Sequence, residues 1–252
     1  MPVKGTTLFT LSTPDGIVMA ADDLIYTEEN GKPIPKQTGV VKVVVCDKVL
    51  IGSSGIMFCP PVEYEFKNWI ADFIESQRGA TDKRPNAIAE AVYAKMRTTF
   101  EPIDPVVKLG KWKAHGPTER LVSYVIAGYT KTFTKPYIYE VGVEVNAEGT
   151  GLRYLSPLHR PDNDLWIGED QFFLRALNGA EPQSSFRTST FDRISGEVLN
   201  TLPDIPEGLQ DAIASVVSLI KVEAKFNPEK VGQAVNVVLI DRAAERVRLA
   251  IL

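Results

Sequence analysis

The order in which this chain changes its hydrophobic period limits its fold more than any single motif does. Short β-rich runs come first, at Thr7–Ser12 (TLFTLS) and Ile17–Ala21 (IVMAA). Thr13-Pro14-Asp15-Gly16 joins them, with proline and glycine in turn-favoured places. The polar stretch Thr27–Thr38, broken by glycine and proline (ENGKPIPKQT), reads as a loop or an edge excursion. Val40–Val45 and Lys48–Ile51 are a second predicted hairpin, closing on a turn of small residues, Gly52-Ser53-Ser54-Gly55. The period then becomes helical. Val62–Gln77 places Phe66, Trp69, Ile70, Phe73 and Ile74 on one face, behind Pro60-Pro61. Asn86–Phe100 is a second predicted helix, capped by Asn86, with Ile88, Ala91, Val92 and Met96 facing inward.

Strands are expected again at Leu121–Tyr129, Pro136–Val145, Gly151–Leu155 and Leu165–Ile167. Helices follow at Asp170–Leu177 and at Glu207–Phe226, the latter carrying Leu209, Ile213, Val216, Val217 and Ile220. Val235–Ile240 and Arg246–Ile251 are the last predicted strands. This order is that of an α+β chain. Two antiparallel sheets packed face to face between helix pairs, a four-layer αββα sandwich, would bury every apolar face. A doubly wound parallel sheet needs strict alternation of strand and helix, which is absent. The first turn also lacks a glycine-rich phosphate loop.

Composition removes several classes of function. The net charge of -4 leaves no basic footprint for nucleic acid. No apolar run is long enough to span a bilayer, and MPVKGTTLFTLS lacks the apolar core of a signal peptide, so a cytoplasmic location is expected. Cys46 and Cys59 are too few for a disulfide framework and are expected to be buried thiols. His115 and His159 lie in polar or proline-flanked stretches, the surroundings of surface or loop histidines. Neither has a spaced ligand partner, so no metal and no cofactor are expected, and a catalytic base would not be histidine.

Gly5-Thr6-Thr7-Leu8, followed by Asp15-Gly16-Ile17-Val18-Met19-Ala20-Ala21-Asp22, resembles the opening of proteasome β-type subunits and their bacterial relatives in the N-terminal-nucleophile (Ntn) hydrolase superfamily. Lys48–Gly55 (KVLIGSSG) and Val231–Val237 (VGQAVNV) resemble later blocks of that family in the same order. The resemblance implies the superfamily's four-layered fold, with residues 1–5 a leader and 6–252 a single domain. It also implies an N-terminal threonine peptidase whose nucleophile, Thr6, is exposed by autocatalytic cleavage of the Gly5–Thr6 bond.

A threonine hydroxyl needs a base. A free α-amine, with a reference pKa near ~8, is partly neutral at neutral pH and can serve. A neighbouring lysine would lower that pKa, and an aspartate would hold the lysine in place. By resemblance the aspartate is Asp22. Lys42 is the chosen lysine, with Lys36 the alternative, because the stretch after Asp22 is longer than the family's. Gly55 would offer its backbone N–H to the developing oxyanion.

The pattern departs from the family at Glu169, Pro228 and Val231, where serine, aspartate and serine are usual. Those departures support a second reading, a non-catalytic structural or binding subunit. A small-molecule amidase of the same fold is a third. The partners implied are a peptide or unfolded-protein substrate, further copies of the chain in a ring, and an ATP-dependent regulator. The substrate pocket is expected to draw its walls from segments near Tyr26–Thr38 and Ser53–Met57.

Overall fold

The computed structural model describes residues 3–5, 7–29, 32–104, 120–130, 135–146, 148–159, 164–167 and 208–251. Their order is β1 (Val3–Gly5), β2 (Leu8–Thr13), β3 (Gly16–Asp22), β4 (Ile25–Glu29), β5 (Lys32–Gln37), β6 (Val43–Cys46), β7 (Val49–Cys59) and β8 (Tyr64–Glu65). Then come α1 (Phe66–Gln77), α2 (Pro85–Phe100), β9 (Arg120–Tyr129), β10 (Pro136–Val145), β11 (Leu152–His159) and β12 (Asp164–Ile167). The last are α3 (Leu209–Phe226), β13 (Val235–Asp241) and β14 (Arg246–Ile251).

Among the described residues the strands form two sheets in which every pairing is antiparallel. The larger runs β11-β10-β9-β7-β1-β4-β5, with β6 and β8 also paired to β7; the smaller runs β12-β2-β3-β13-β14. This is an α+β chain with two antiparallel sheets, as the order of periods requires. Leu8, Ile17 and Met19 of the smaller sheet pack with Val43, Leu50, Val125 and Ile138 of the larger, so the two sheets share one apolar interior. On the larger sheet, α1 and α2 cover a second core centred on Trp69. Its ring stacks on Tyr124 with centroids 4.9 Å apart, and its Nε1 donates to Thr99 Oγ1 at 2.8 Å, so the buried indole keeps its one polar atom satisfied. On the smaller sheet, Val216, Leu219 and Ile220 of α3 pack against Phe9, Val18 and Val237. No described helix is long and apolar enough to cross a membrane.

Several local expectations change. Gly52-Ser53-Ser54-Gly55 is not a turn; it lies inside the eleven-residue β7. Gly52 is there because the sheets approach closely: a Cβ would meet Leu8 Cδ1 at 2.6 Å. The polar stretch after Asp22 is an edge hairpin, β4–β5, exposed along β5 and carrying lysine and proline, residues that discourage further pairing. Helix α1 begins at Phe66 because Pro60–Val62 make a 3₁₀ turn and Tyr64–Glu65 pair with β7. Helix α2 begins at Pro85, not Asn86. Proline needs no N–H partner in the first turn, and the carbonyl of Arg84 accepts the first helical bond from Ile88 N at 3.0 Å. Ala89 rather than Ala91 is fully buried on its inner face. His159 ends β11 opposite Tyr139 and contacts the rings of Tyr137 and Tyr139, so it is a strand residue. The helix expected at Asp170–Leu177 and His115 lie outside the described residues.

Candidate active site

The site forms where the chain leaves the larger sheet at Gly5 and joins the smaller one at Leu8. Asp22 is the last residue of β3, opposite Val235 at the start of β13, so its carboxylate stands at the end of the smaller sheet. Its Oδ1 accepts from Lys42 Nζ at 2.6 Å and from Thr7 N at 3.0 Å. Its Oδ2 accepts from Leu24 N and Gly232 N, each at 3.0 Å. These donors, one of them charged, fix the carboxylate in place.

Lys42 sits at a junction. Along one edge of β7, β6 pairs with Val49–Gly52 and β1 pairs with Gly55–Phe58. The carbonyl of Lys42 accepts from Ser53 N at 2.9 Å in the gap between them. The side chain, 0% exposed, runs inward to Asp22. Burial pushes its ammonium pKa below the ordinary value, against the pull of Asp22, Asp23 and Glu223. Of the two lysines weighed from sequence, Lys42 is the one against Asp22. Lys36 lies on the exposed edge strand and pairs with Glu29 at 3.8 Å.

Gly5 ends β1, opposite Gly55 of β7 and Ile25 of β4. A Cβ on Gly5 would meet Lys42 Cε at 2.9 Å and Met57 Cγ at 3.0 Å, so the backbone here lies directly against the lysine. Gly55 has φ +91, and a Cβ there would press on the backbone of Leu121 and Val122, so glycine is required. Thr6 lies outside the described residues; both of its neighbours, Gly5 and Thr7, are held within this cluster.

Three contributors were not anticipated. Thr7 is buried, and its Oγ1 donates to Glu223 Oε2 at 2.7 Å. Glu223 is 2% exposed on α3. Gly232 donates its N–H to Asp22, and any Cβ there would collide with the carboxylate of Asp23. The sequence did carry a signal for Glu223: it follows Val216 and Ile220 on the buried stripe of α3, where an acid is out of pattern. Val231, at one of the departures from the resemblance, is a core residue under α3, and Pro228 lies in the turn beyond that helix. Glu169 lies outside the described residues.

A cavity of about 790 Å³ opens beside the cluster. Met57, the residue against Gly5, is on its wall with Ile25, Val40 and Val44. Lys36, Gln37 and Met57 come from the two segments expected to line a pocket; Ile70 and Ile74 of α1 were not foreseen. Chemically, the arrangement offers a fully buried ammonium–carboxylate pair and a left-handed glycine, Gly55, opposite Gly5 of β1, next to a largely apolar hollow.

No protein-family model matches the chain, and no curated protein sequence matches it. Solved structures do. An Anbu (Gly-1) mutant from Hyphomicrobium sp. strain MC1 is similar over 98% of this chain and 87% of its own, with TM-score 0.58 and 15% identity. A second crystal form of Anbu from that organism covers the same shares, with TM-score 0.54 and 14% identity. The structure described as the helical assembly of the Anbu complex from Pseudomonas aeruginosa matches 98% of this chain and 86% of its own, with TM-score 0.58 and 12% identity. At such identity the likeness establishes the fold alone. It also corrects the resemblance to proteasome β-type subunits, since these three structures, each matching nearly the whole chain, are Anbu proteins. The reason is physical. The residues that carried the resemblance encode a hairpin, its turn glycine and a carboxylate at a sheet end. Those are properties of a fold and do not single out one of its branches.

Proposed function

We propose that this chain is a proteasome-like subunit with a latent threonine-type hydrolytic site, silent while residues 1–5 remain attached. The four-layer αββα arrangement, with helix pairs outside both sheets, belongs to this reading. So do the division into a leader, 1–5, and one domain, 6–252, and assembly with copies of itself. The observation that carries it is the place of β1. The leader strand is built into the larger sheet between β7 and β4, with Gly5 against a fully buried Lys42–Asp22 pair. Burying two ionised groups costs several kcal/mol per ion before their attraction offsets it, so a core without a task would hold apolar residues there.

In this reading Thr6 Oγ attacks the Gly5 carbonyl carbon, its proton passing to the departing Thr6 nitrogen. The peptide bond breaks and an ester forms. Water then hydrolyses the ester, releasing residues 1–5 and leaving the Thr6 amine free as the base for later cycles. Lys42 disfavours a second positive charge on that amine, and Asp22 holds Lys42. Gly55, opposite Gly5 across the β1–β7 pairing, would offer its N–H to the carbonyl oxygen that gains charge. A peptide taking the leader's slot would pair with β4 and β7, and an apolar residue beside its cleaved bond would reach the hollow behind Met57.

A second reading, a permanently non-catalytic structural subunit, is supported by the likeness to a structure described as the helical assembly of the Anbu complex. The departures at Pro228 and Val231 point the same way. Peptide turnover separates the two. With the hydrolytic site, a panel of fluorogenic peptides is cleaved, best after apolar residues, and Thr6→Ala or Lys42→Met abolishes cleavage and labelling by a threonine-directed covalent inhibitor. No turnover and no labelling by protein lacking residues 1–5 would leave the structural subunit.

A further inference from the structure

Glu223 stands 216 positions from Thr7 in sequence, yet the two side chains meet in a buried hydrogen bond of 2.7 Å. Thr7 is 0% exposed and Glu223 2% exposed. The backbone N–H of Thr7 is held separately by Asp22 at 3.0 Å. Two residues earlier, the bond proposed for cleavage begins at Gly5, which is fixed from the other side by β1 pairing with β4 and β7. The chain is therefore anchored on both sides of Thr6 by different layers: the larger sheet before it, and the end of the smaller sheet with α3 after it.

Apolar packing does not explain the acid, which also adds negative charge near Lys42. Glu223 lies on the buried stripe of α3 that otherwise packs Val216, Leu219 and Ile220 against the smaller sheet. An aliphatic residue there would extend that core without desolvating a carboxylate. What the carboxylate adds is a directional anchor, because a hydrogen bond to a charged acceptor fixes distance and angle where an apolar contact fixes neither.

We propose that Thr7 and Glu223 form a latch that fixes the chain just after the Gly5–Thr6 bond, making Glu223 a positioning residue of the site. This rests on the hydrolytic reading for its consequence, and on geometry alone for its existence. The latch holds the leaving nitrogen's side of the bond still while β1 holds the carbonyl side. A displacement of about 1 Å at a reacting centre is enough to cost on the order of a hundredfold in rate.

Two measurements test it separately. In a Thr6→Ala background, which removes the nucleophile, amide hydrogen exchange is followed over residues 3–11 of the full-length protein. Thr7→Val and Glu223→Leu each lower protection there, the double variant loses no more than either single one, and Thr7→Ser keeps protection. Unchanged protection in Thr7→Val, or losses that add, would overturn the latch whatever the chemistry. With Thr6 present, loss of residues 1–5 is timed by intact mass. Thr7→Val and Glu223→Leu slow it by about tenfold or more, and Thr7→Ser restores it to within about threefold of the parent rate. Coupled protection with an unaltered cleavage rate would overturn the positioning role and leave the latch structural. If the parent chain never loses its leader, the hydrolytic reading and the positioning role fall together, while the exchange data still decide the latch.

Discussion

Lys42 is the residue that matters most, because the carboxylates of Asp22, Asp23 and Glu223 offset the water it loses on burial. Asp22→Ala leaves that ammonium buried without its closest counter-charge, and should destabilise the folded chain by about 3–5 kcal/mol in urea unfolding. Gly55→Ala puts a Cβ at φ +91 against the Leu121–Val122 backbone, and should cost roughly 1–3 kcal/mol by the same measurement. The cysteines give an independent check. Both are buried, and burial pushes the Cys59 thiol up from 9.0 to about 11. Neither should react with maleimide in the native protein at pH 8, and both should react once it is unfolded. Because the fold holds the Cys59 proton more tightly than the unfolded chain does, this contribution is full below pH 9.0 and is lost as pH rises toward about 11. Stability measured against pH in that window should fall, and a Cys59→Ala chain should fall less.

At the scale of elements, what could be read in advance was whatever repeats locally. The β2–β3 hairpin, the inner face of α1 and the limits of β10 follow from period and turn residues, so they were legible. What could not be read depends on partners far along the chain. β1 is three residues long and has no pattern of its own; it is a strand because β4 and β7 flank it. Gly52–Gly55 looks like a turn until Leu8 and Met19 arrive from the other sheet. The lysine was ambiguous in sequence, since both candidates follow Asp22; only the burial of one and the edge position of the other separates them. Glu223 and Gly232 join the site across more than two hundred residues. Two predictions belong here. Trp69→Ala should cost about 3–5 kcal/mol, as it empties the core between α1, α2 and the larger sheet. Lys4→Pro removes a backbone donor from the middle of β1 and should release that strand, seen as faster proteolysis of the N-terminus with α1–α2 protection unchanged.

For the whole molecule, the proposed activity is conditional on release of residues 1–5. The two sheets bring Lys42, Asp22 and Gly5 of β1 together, and in the proposed reading β1 fills the slot that a peptide would need. Assembly and activity are then separable. The chain should sediment as a multimer of its 27.8 kDa mass whether or not the leader is removed. The most direct test of the latent site is the intact mass of the purified assembly over time, beside a Thr6→Ala control. The account predicts a species lacking residues 1–5 that begins at Thr6 and grows with time in the parent chain, and no such species in the control. A full-length mass that persists in both, or the same loss in both, would contradict it.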